Sequence, residues 1–304
     1  MKRILLYLKK NKWPYLFLLP FFLLYISFQL YPQVFSVMLA FQNYRIGRPT
    51  EFVGLRNFTR VLQDPVFYLA IRNTVFIWLG TLPSQLAAGF LIATAMLRLG
   101  QRARGLASGV FYLPVVTSLV AVALVFQLMY DTNAGVINHL LGFVGIAPIS
   151  WLADPQAARF AVILMIFWRG VGYYIVFILA GLISIDNGLY EFATIEGAGY
   201  FKKHWYITLP LIKPIMLFLI FTGTIAGWNV FLEPFLLFGG AAGGAAAGPG
   251  SSGLTLGMFV YTEGILHRRY SYGAAISVYI AVITAIVAVV QFRFMGARGG
   301  RYHE

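Results

Sequence analysis

Arg169 stands inside the apolar run 160–183, and Glu233 stands in the later half of the run 215–238. A charge at such depth costs about 2.5–3.5 kcal/mol on insertion scales, so it normally faces a cavity or a partner. Trp168, Tyr173, Tyr174, Trp228, Asn229 and Gln127 lie near them in sequence or in neighbouring apolar runs. Aromatic faces with amides and hydroxyls bind sugars without covalent chemistry, so this mixture suits a saccharide. Two readings stay open for Arg169 and Glu233. Either both line a solute path, or they pair with each other or with another subunit as structural glue. Each aromatic alone also fits an interface belt.

Bond-making chemistry finds little support. The chain has ten acidic residues, four histidines and no cysteine. No pair of acids stands out as a buried dyad, and without cysteine there is no thiolate nucleophile, disulfide or thiolate metal site. His139 and His267 have no second ligand at metal spacing, so no zinc site is expected. No G-x-x-x-x-G-K-[ST] run cradles phosphates.

The elements that place these residues follow from composition. The 304 residues are 60% hydrophobic and 11% charged, where soluble domains carry about 25% charged residues. Mean hydropathy is +0.77. These values predict an all-α polytopic membrane protein. Six runs are long enough to cross a bilayer as helices: residues 15–39, 74–96, 108–129, 160–183, 215–238 and 274–292. The first is too long for a signal-peptide core and lacks a small-residue cleavage site, so it reads as a retained span. The net charge of +13 reads as basic loops beside anionic lipid rather than as a nucleic-acid surface. One side of the predicted topology holds Lys2, Arg3, Lys9, Lys10, Lys12, Arg98, Arg102, Arg104, Lys202, Lys203, Lys213, Arg293, Arg298 and Arg301. The other holds fewer cations, including Arg45, Arg48, Arg56, Arg60, Arg72, Arg159, Arg268 and Arg269. Both termini are therefore expected in the cytoplasm. On the other side, residues 43–72 suggest a helix broken at Asp64-Pro65, and residues 130–157 a short surface helix with Trp151 as an interface anchor. The run "GGAAGGAAAGPGSSG" from Gly239 reads as a flexible loop.

The segment "EFATIEGAGYFKKHWYITLPLIKP" is polar between two apolar runs. Asp186 or Asn187 can cap a helix, Glu191 suits its first turns, and Leu189, Phe192, Ala193 and Ile195 give an apolar face. Gly197 and Gly199 end the helix, and Pro210 and Pro214 mark re-entry into the next span. The result is a short amphipathic helix within residues 186–214. It either docks a cytoplasmic partner or lies on the inner leaflet.

Glu191, Ala193, Gly197, Ile207, Leu209 and Pro210 fall at the spacing E-A-A, three residues, G, nine residues, I-x-L-P. This resembles the EAA loop of permease subunits of binding-protein-dependent ABC importers; Phe192 departs at the first alanine. "FVGLRNF", "DPVFYLAIRNT", "WLADPQAA", "IFWRGVGYY" and "YGAAISV" extend the resemblance to sugar-importer permeases of the maltose and glycerol-phosphate type. The run from Gly239 departs from the family, which carries a "GGGP" followed by polar residues and Thr there. The resemblance implies six spans with a short cytoplasmic coupling helix that seats in an ATPase subunit. It implies four kinds of partner: a second permease, two ATP-binding subunits, an extracytoplasmic solute-binding protein, and membrane lipid. It also implies a bacterial inner-membrane location, a carbohydrate cargo and no cofactor in this chain, with ATP and Mg on the partner ATPase. It points to Asn229 most strongly, because the family's solute-contacting amides cluster in the fifth span. His204, with Lys202 and Lys203, is expected to face lipid headgroups or the ATPase. The basic outer face and Arg169 also suit an acidic saccharide or a sugar phosphate. The alternative from another class is a stand-alone secondary transporter or channel. That alternative calls for inverted repeats and an intramembrane carboxylate, of which only Glu233 is present.

Overall fold

The computed structural model describes residues 12–47, 49–240 and 247–296. The basic residues 2–10, Arg48, Arg298, Arg301 and the Gly/Ala stretch 241–246 lie outside the described residues. The described chain is helical apart from one two-residue β-ribbon, in which β1 (Gln42–Asn43) pairs antiparallel with β2 (Glu51–Phe52). Its helices are α1 (Lys12–Tyr25), α2 (Tyr31–Ala40), α3 (Arg56–Gln63), α4 (Pro65–Met96), α5 (Gln101–Val116), α6 (Leu119–Met129), α7 (Val136–Phe143) and α8 (Pro155–Ile183). They continue with α9 (Asn187–Ile195), α10 (Tyr200–Lys203), α11 (Leu209–Leu211), α12 (Lys213–Trp228), α13 (Leu232–Leu237), α14 (Leu256–Val260) and α15 (Tyr270–Gly296).

Four stretches are long and apolar enough to span a bilayer uninterrupted: Leu16–Ala40, Pro65–Met96, Pro155–Ile183 and Tyr270–Arg293. The third predicted span is a bent pair instead, and the fifth, 215–238, is entered through a bend that lies just before it. Gln101–Val116 meets Leu119–Met129 at 92°, and Tyr200–Leu211 meets Lys213–Trp228 at 66°. The sequence predicts one helix over 108–129. The break falls at Thr117 and Ser118, whose backbones are extended, just after Pro114 inside α5. Proline cannot donate to the preceding turn, and the Thr117 hydroxyl takes up the Pro114 carbonyl at 2.7 Å. The predicted fifth span, 215–238, is likewise divided after Trp228. α13 resumes at Leu232, and Phe231 sits at φ −143°, ψ −55° between them.

The chain divides into two compact units, where the sequence reading has one transmembrane domain. The first joins the N-terminal part, up to Asp64, with Val260–Tyr279. Here Asn57 donates to the carbonyls of Ala40 and Gln42, both at 2.8 Å, tying α3 to the end of α2. Tyr272 donates to Asp64 at 2.7 Å, and Arg60 lies over the Tyr272 ring. The chain does break at Asp64, which is extended before Pro65.

The second unit covers Pro65–Phe259 and the rest of α15. Two buried apolar clusters organise it. One gathers Leu82, Tyr174, Ile175, Ile178, Leu182 and Leu219, the other Ile77, Phe126, Met165 and Leu237. Gly172 lets α8 close on α5, since a Cβ there would strike the Phe111 carbonyl oxygen. Asp154 caps α8 by accepting from the backbone of Gln156 and Ala157. The Asp131 carboxylate accepts from the Ala134 and Asn133 backbone, which holds its pKa below the usual carboxylate range. Trp151, expected as an interface anchor, is half-buried. Its indole N–H donates to Asn138 at 2.9 Å and its ring packs on Tyr130, so it pins the loop after α7 to the helices.

The sequence reads residues 247–253 as part of a flexible loop, and the structure shows them tied down. They form a turn in which Gly253 N–H donates to Ala247 at 2.7 Å, and Asn73 donates to the Ser251 and Leu254 carbonyls. The anchors are backbone carbonyls and a side chain from α4. The composition of the run itself gives no sign of them.

Candidate functional site

The division of the fifth span places a cavity of about 620 Å³ against α4, α8 and α12–α13. Its wall includes the irregular backbone of Asn229, Val230 and Phe231. Non-helical backbone at membrane depth is tolerated where it lines a cavity or is buried in protein. Here Thr255 donates to the freed Val230 carbonyl at 2.6 Å.

Five of the sequence-predicted residues meet in this cavity: Arg169, Tyr173, Tyr174, Asn229 and Glu233. Arg169 Nη1 and Glu233 Oε1 stand 4.0 Å apart, the outer limit of an ion pair, and both side chains are only partly covered. The two readings of these charges therefore coexist, since the pair lines the cavity while its members face each other. Asn229 is exposed to the cavity. Its amide nitrogen donates to the Ile225 carbonyl at 2.8 Å, which aims the side chain and leaves its oxygen open. The Tyr173 ring packs against Phe177 at a tilt of 43°, with 4.5 Å between centroids. Tyr174 is nearly buried, and its hydroxyl sits against Gly223, where a Cβ would come within 2.5 Å.

The other three predicted residues lie elsewhere. Trp228 is behind the wall, buried and 6.1 Å from Trp78, and neither indole N–H finds a partner among the described residues. Trp168 is exposed beside Phe126, at an apolar cavity with Thr117 and Leu164. Gln127 donates to the Leu236 and Leu237 carbonyls, both at 2.9 Å, and so holds the end of α13. The sequence reading missed Thr81, Gln85 and Thr222, which line the cavity. Gln85 donates to the Ile166 carbonyl at 2.9 Å beside Gly170. The signal was legible: Thr81, Ser84 and Gln85 put three polar residues into one apolar run.

The EAA-like segment forms a second functional feature. The Asp186 carboxylate caps α9, accepting from Gly188 N–H at 2.9 Å. Gly197 closes it at φ +76°, a left-handed conformation that costs an L side chain about 1–2 kcal/mol. Ala198 N–H then reaches the Ala193 carbonyl at 2.8 Å. Glu191 and Pro210 are exposed, while Ala193, Ile207 and Leu209 are half-buried. Tyr190 bonds the buried Thr208 at 2.9 Å, fastening the helix to the π-turn His204–Thr208. Phe192 is 65% exposed and shares the free face with Leu189 and Ile195, so its ring points off the chain. That face is an apolar surface held rigidly at both ends of α9.

Comparison with known proteins gives the same outline. The family model described as binding-protein-dependent transport system inner membrane component matches residues 85–297. The arabinooligosaccharides transport system permease protein AraP of Bacillus subtilis is 30% identical, covering 97% of this chain and 92% of that protein. The lactose transport system permease protein LacF of Rhizobium radiobacter is 34% identical over 94% of each. A solved bacterial ABC transporter involved in the import of the acidic polysaccharide alginate has a chain of the same fold. It superposes at a TM-score of 0.84 and 23% identity, over 98% of this chain and 100% of that one. The rigid loop with its glycine stop, the divided fifth span and the family match over most of the chain have one common explanation: this protein belongs to the family of inner-membrane components of binding-protein-dependent transport systems.

Proposed function

We propose that the chain carries an oligosaccharide across the inner membrane by alternating access, and that it holds the solute at the cavity formed by the break in the fifth span. The observation that carries this reading is the meeting of Asn229, Tyr173, Arg169 and Glu233 in one half-covered space of about 620 Å³. An amide, an aromatic face and a charge pair match the hydroxyl-rich, partly apolar surface of a sugar. The names of its relatives, which concern arabinooligosaccharides and lactose, support the solute class. Arg169 faces Glu233, so the cavity's lining carries no net charge. This favours a neutral oligosaccharide over the acidic saccharide or sugar phosphate that Arg169 alone suggests.

In this reading the chain works with a second permease of its family, two ATP-binding subunits that hold ATP and Mg, and an extracytoplasmic solute-binding protein. Both termini and α9 face the cytoplasm. ATP-driven closure of the partner subunits pushes on α9, and Tyr190, Thr208 and α11 pass that push to α12. Glu191, Ala193, Gly197, Ile207, Leu209 and Pro210 serve this coupling.

The test is uptake of radiolabelled neutral oligosaccharide by the assembled transporter carrying Asn229→Ala or Tyr173→Ala. Each should lower uptake about tenfold, the worth of one lost solute contact of about 1.4 kcal/mol, with assembly intact. Unchanged kinetics in both variants remove the cavity from the path. A chain that elutes alone in mild detergent, without an ATP-binding subunit, defeats the partner assignment.

A further inference from the structure

A second polar cavity, of about 490 Å³, lies where the ends of α4 and α8 meet residues 187–208. Arg98, Arg104, Lys203 and His204 line it, and its lining includes no acidic side chain. Three polar atoms on its wall are buried without a hydrogen-bond partner among the described residues: Thr94 Oγ1, Arg104 Nε and His204 Nδ1. Arg104 is held in place by one of its two terminal nitrogens, Nη2, which donates to the Leu97 and Leu99 carbonyls at 3.1 and 3.0 Å. Lys203 donates to the Thr194 hydroxyl at 2.7 Å, a neutral partner that leaves its charge uncompensated. Clustered cations without counter-charge in a half-closed site are unfavourable, and an anion relieves them through charge-assisted hydrogen bonds.

An apolar groove of about 400 Å³ adjoins the cavity and shares Thr94, Arg98, Tyr200 and His204 with it. Phe90, Leu91, Phe201, Trp205 and Leu209 complete the groove. A basic cavity opening into an apolar groove has the shape of an amphiphile, an anionic head joined to a chain.

We propose that the basic cavity binds a phosphate group and that the groove beside it makes an anionic phospholipid the source of that group. The site is separate from the solute cavity and does not depend on what that cavity carries. Its lining comes from the end of α4, the start of α5, the end of α8 and the segment that carries α9. An occupant therefore ties the coupling helix to a membrane-spanning helix, and its loss loosens that tie.

The transporter, assembled with its partners, is placed in nanodiscs of phosphatidylcholine alone, of phosphatidylcholine with phosphatidylglycerol, and of phosphatidylcholine with inorganic phosphate at constant ionic strength. Thermal unfolding is followed for the native chain and for the double variant Arg98→Gln/Lys203→Gln. Phosphatidylglycerol should raise the native Tm by several degrees, and the double variant should lose most of that shift. An equal response to inorganic phosphate, also lost in the variant, supports the phosphate site and assigns it a soluble source. A shift retained in full by the variant, or no shift in either arm, overturns the proposal. So does loss of the ATP-binding subunit from the variant without any lipid or phosphate response, since the cations then serve a partner's acids. If the double variant fails to assemble, Arg98→Gln alone, at an exposed position, gives the same readings.

Discussion

At the scale of single residues, the charges inside the apolar runs gain their meaning from each other. Arg169 and Glu233 are far apart in sequence and 4.0 Å apart in the fold. Removing one leaves the other unpaired in a partly covered site, whereas removing both leaves only a change of shape. Because both side chains keep some exposure, Arg169→Met alone should cost roughly 2 kcal/mol of stability, less than for a fully buried pair. Arg169→Met/Glu233→Leu should recover at least half of that loss. Thermal melts of the two variants in the assembled transporter check this, and a double variant as unstable as the single sinks the pairing. Asn229 and Gln127 show the other side of residue-level reading. Both are amides inside apolar runs, Gln127 in the third and Asn229 in the fifth, yet one opens to the cavity and the other binds two carbonyls. Residue type could not separate them, because the distinction depends on which carbonyls the break in the fifth span leaves free.

At the scale of elements, α9 is defined by its ends. Asp186 starts it and Gly197 stops it in a left-handed turn, with open space around the missing Cβ. A side chain at 197 meets no neighbour, so its whole effect comes from the backbone. Gly197→Val should distort the stop at a cost of about 1–2 kcal/mol. In the assembled transporter we expect ATP hydrolysis to persist while uptake falls at least fivefold. Parallel assays of phosphate release and uptake decide it, and full uptake in the variant removes the glycine from coupling. The cap, the stop and the family spacing were legible in the sequence because each is local. The divisions of the third and fifth spans were not. Both runs are apolar over most of their length, and such a run shows length without showing where the helix breaks. Pro114 was a visible warning in the third. The fifth breaks at Asn229 with Pro234 several residues later, inside α13, so proline does not mark the position.

At the scale of the molecule, the proposed topology rests on the distribution of basic residues. The orientation with Lys202 inside and Thr132 outside can be tested cleanly because the chain has no cysteine. Lys202→Cys in intact spheroplasts should resist an impermeant maleimide until the membrane is opened. Thr132→Cys should react at once. The reverse pattern inverts the topology and with it the cytoplasmic placement of α9.

Apolar runs and loop charge determined by themselves that this chain is a helical membrane protein, and the resemblance carried by the spacing from Glu191 to Pro210 pointed to a transport subunit. Those are properties of composition and of near neighbours, and burial in a bilayer demands them directly. Only the tertiary structure decided which polar side chains meet. The fifth span unwinds where α4 and α8 leave a cavity, and this unwinding brings Arg169 to Glu233 while withdrawing Trp228 behind the wall. It also decided that residues 247–253 are held, because their anchors belong to α4. Contacts between residues distant in sequence are settled by helix packing, and single-run periodicity carries no trace of them.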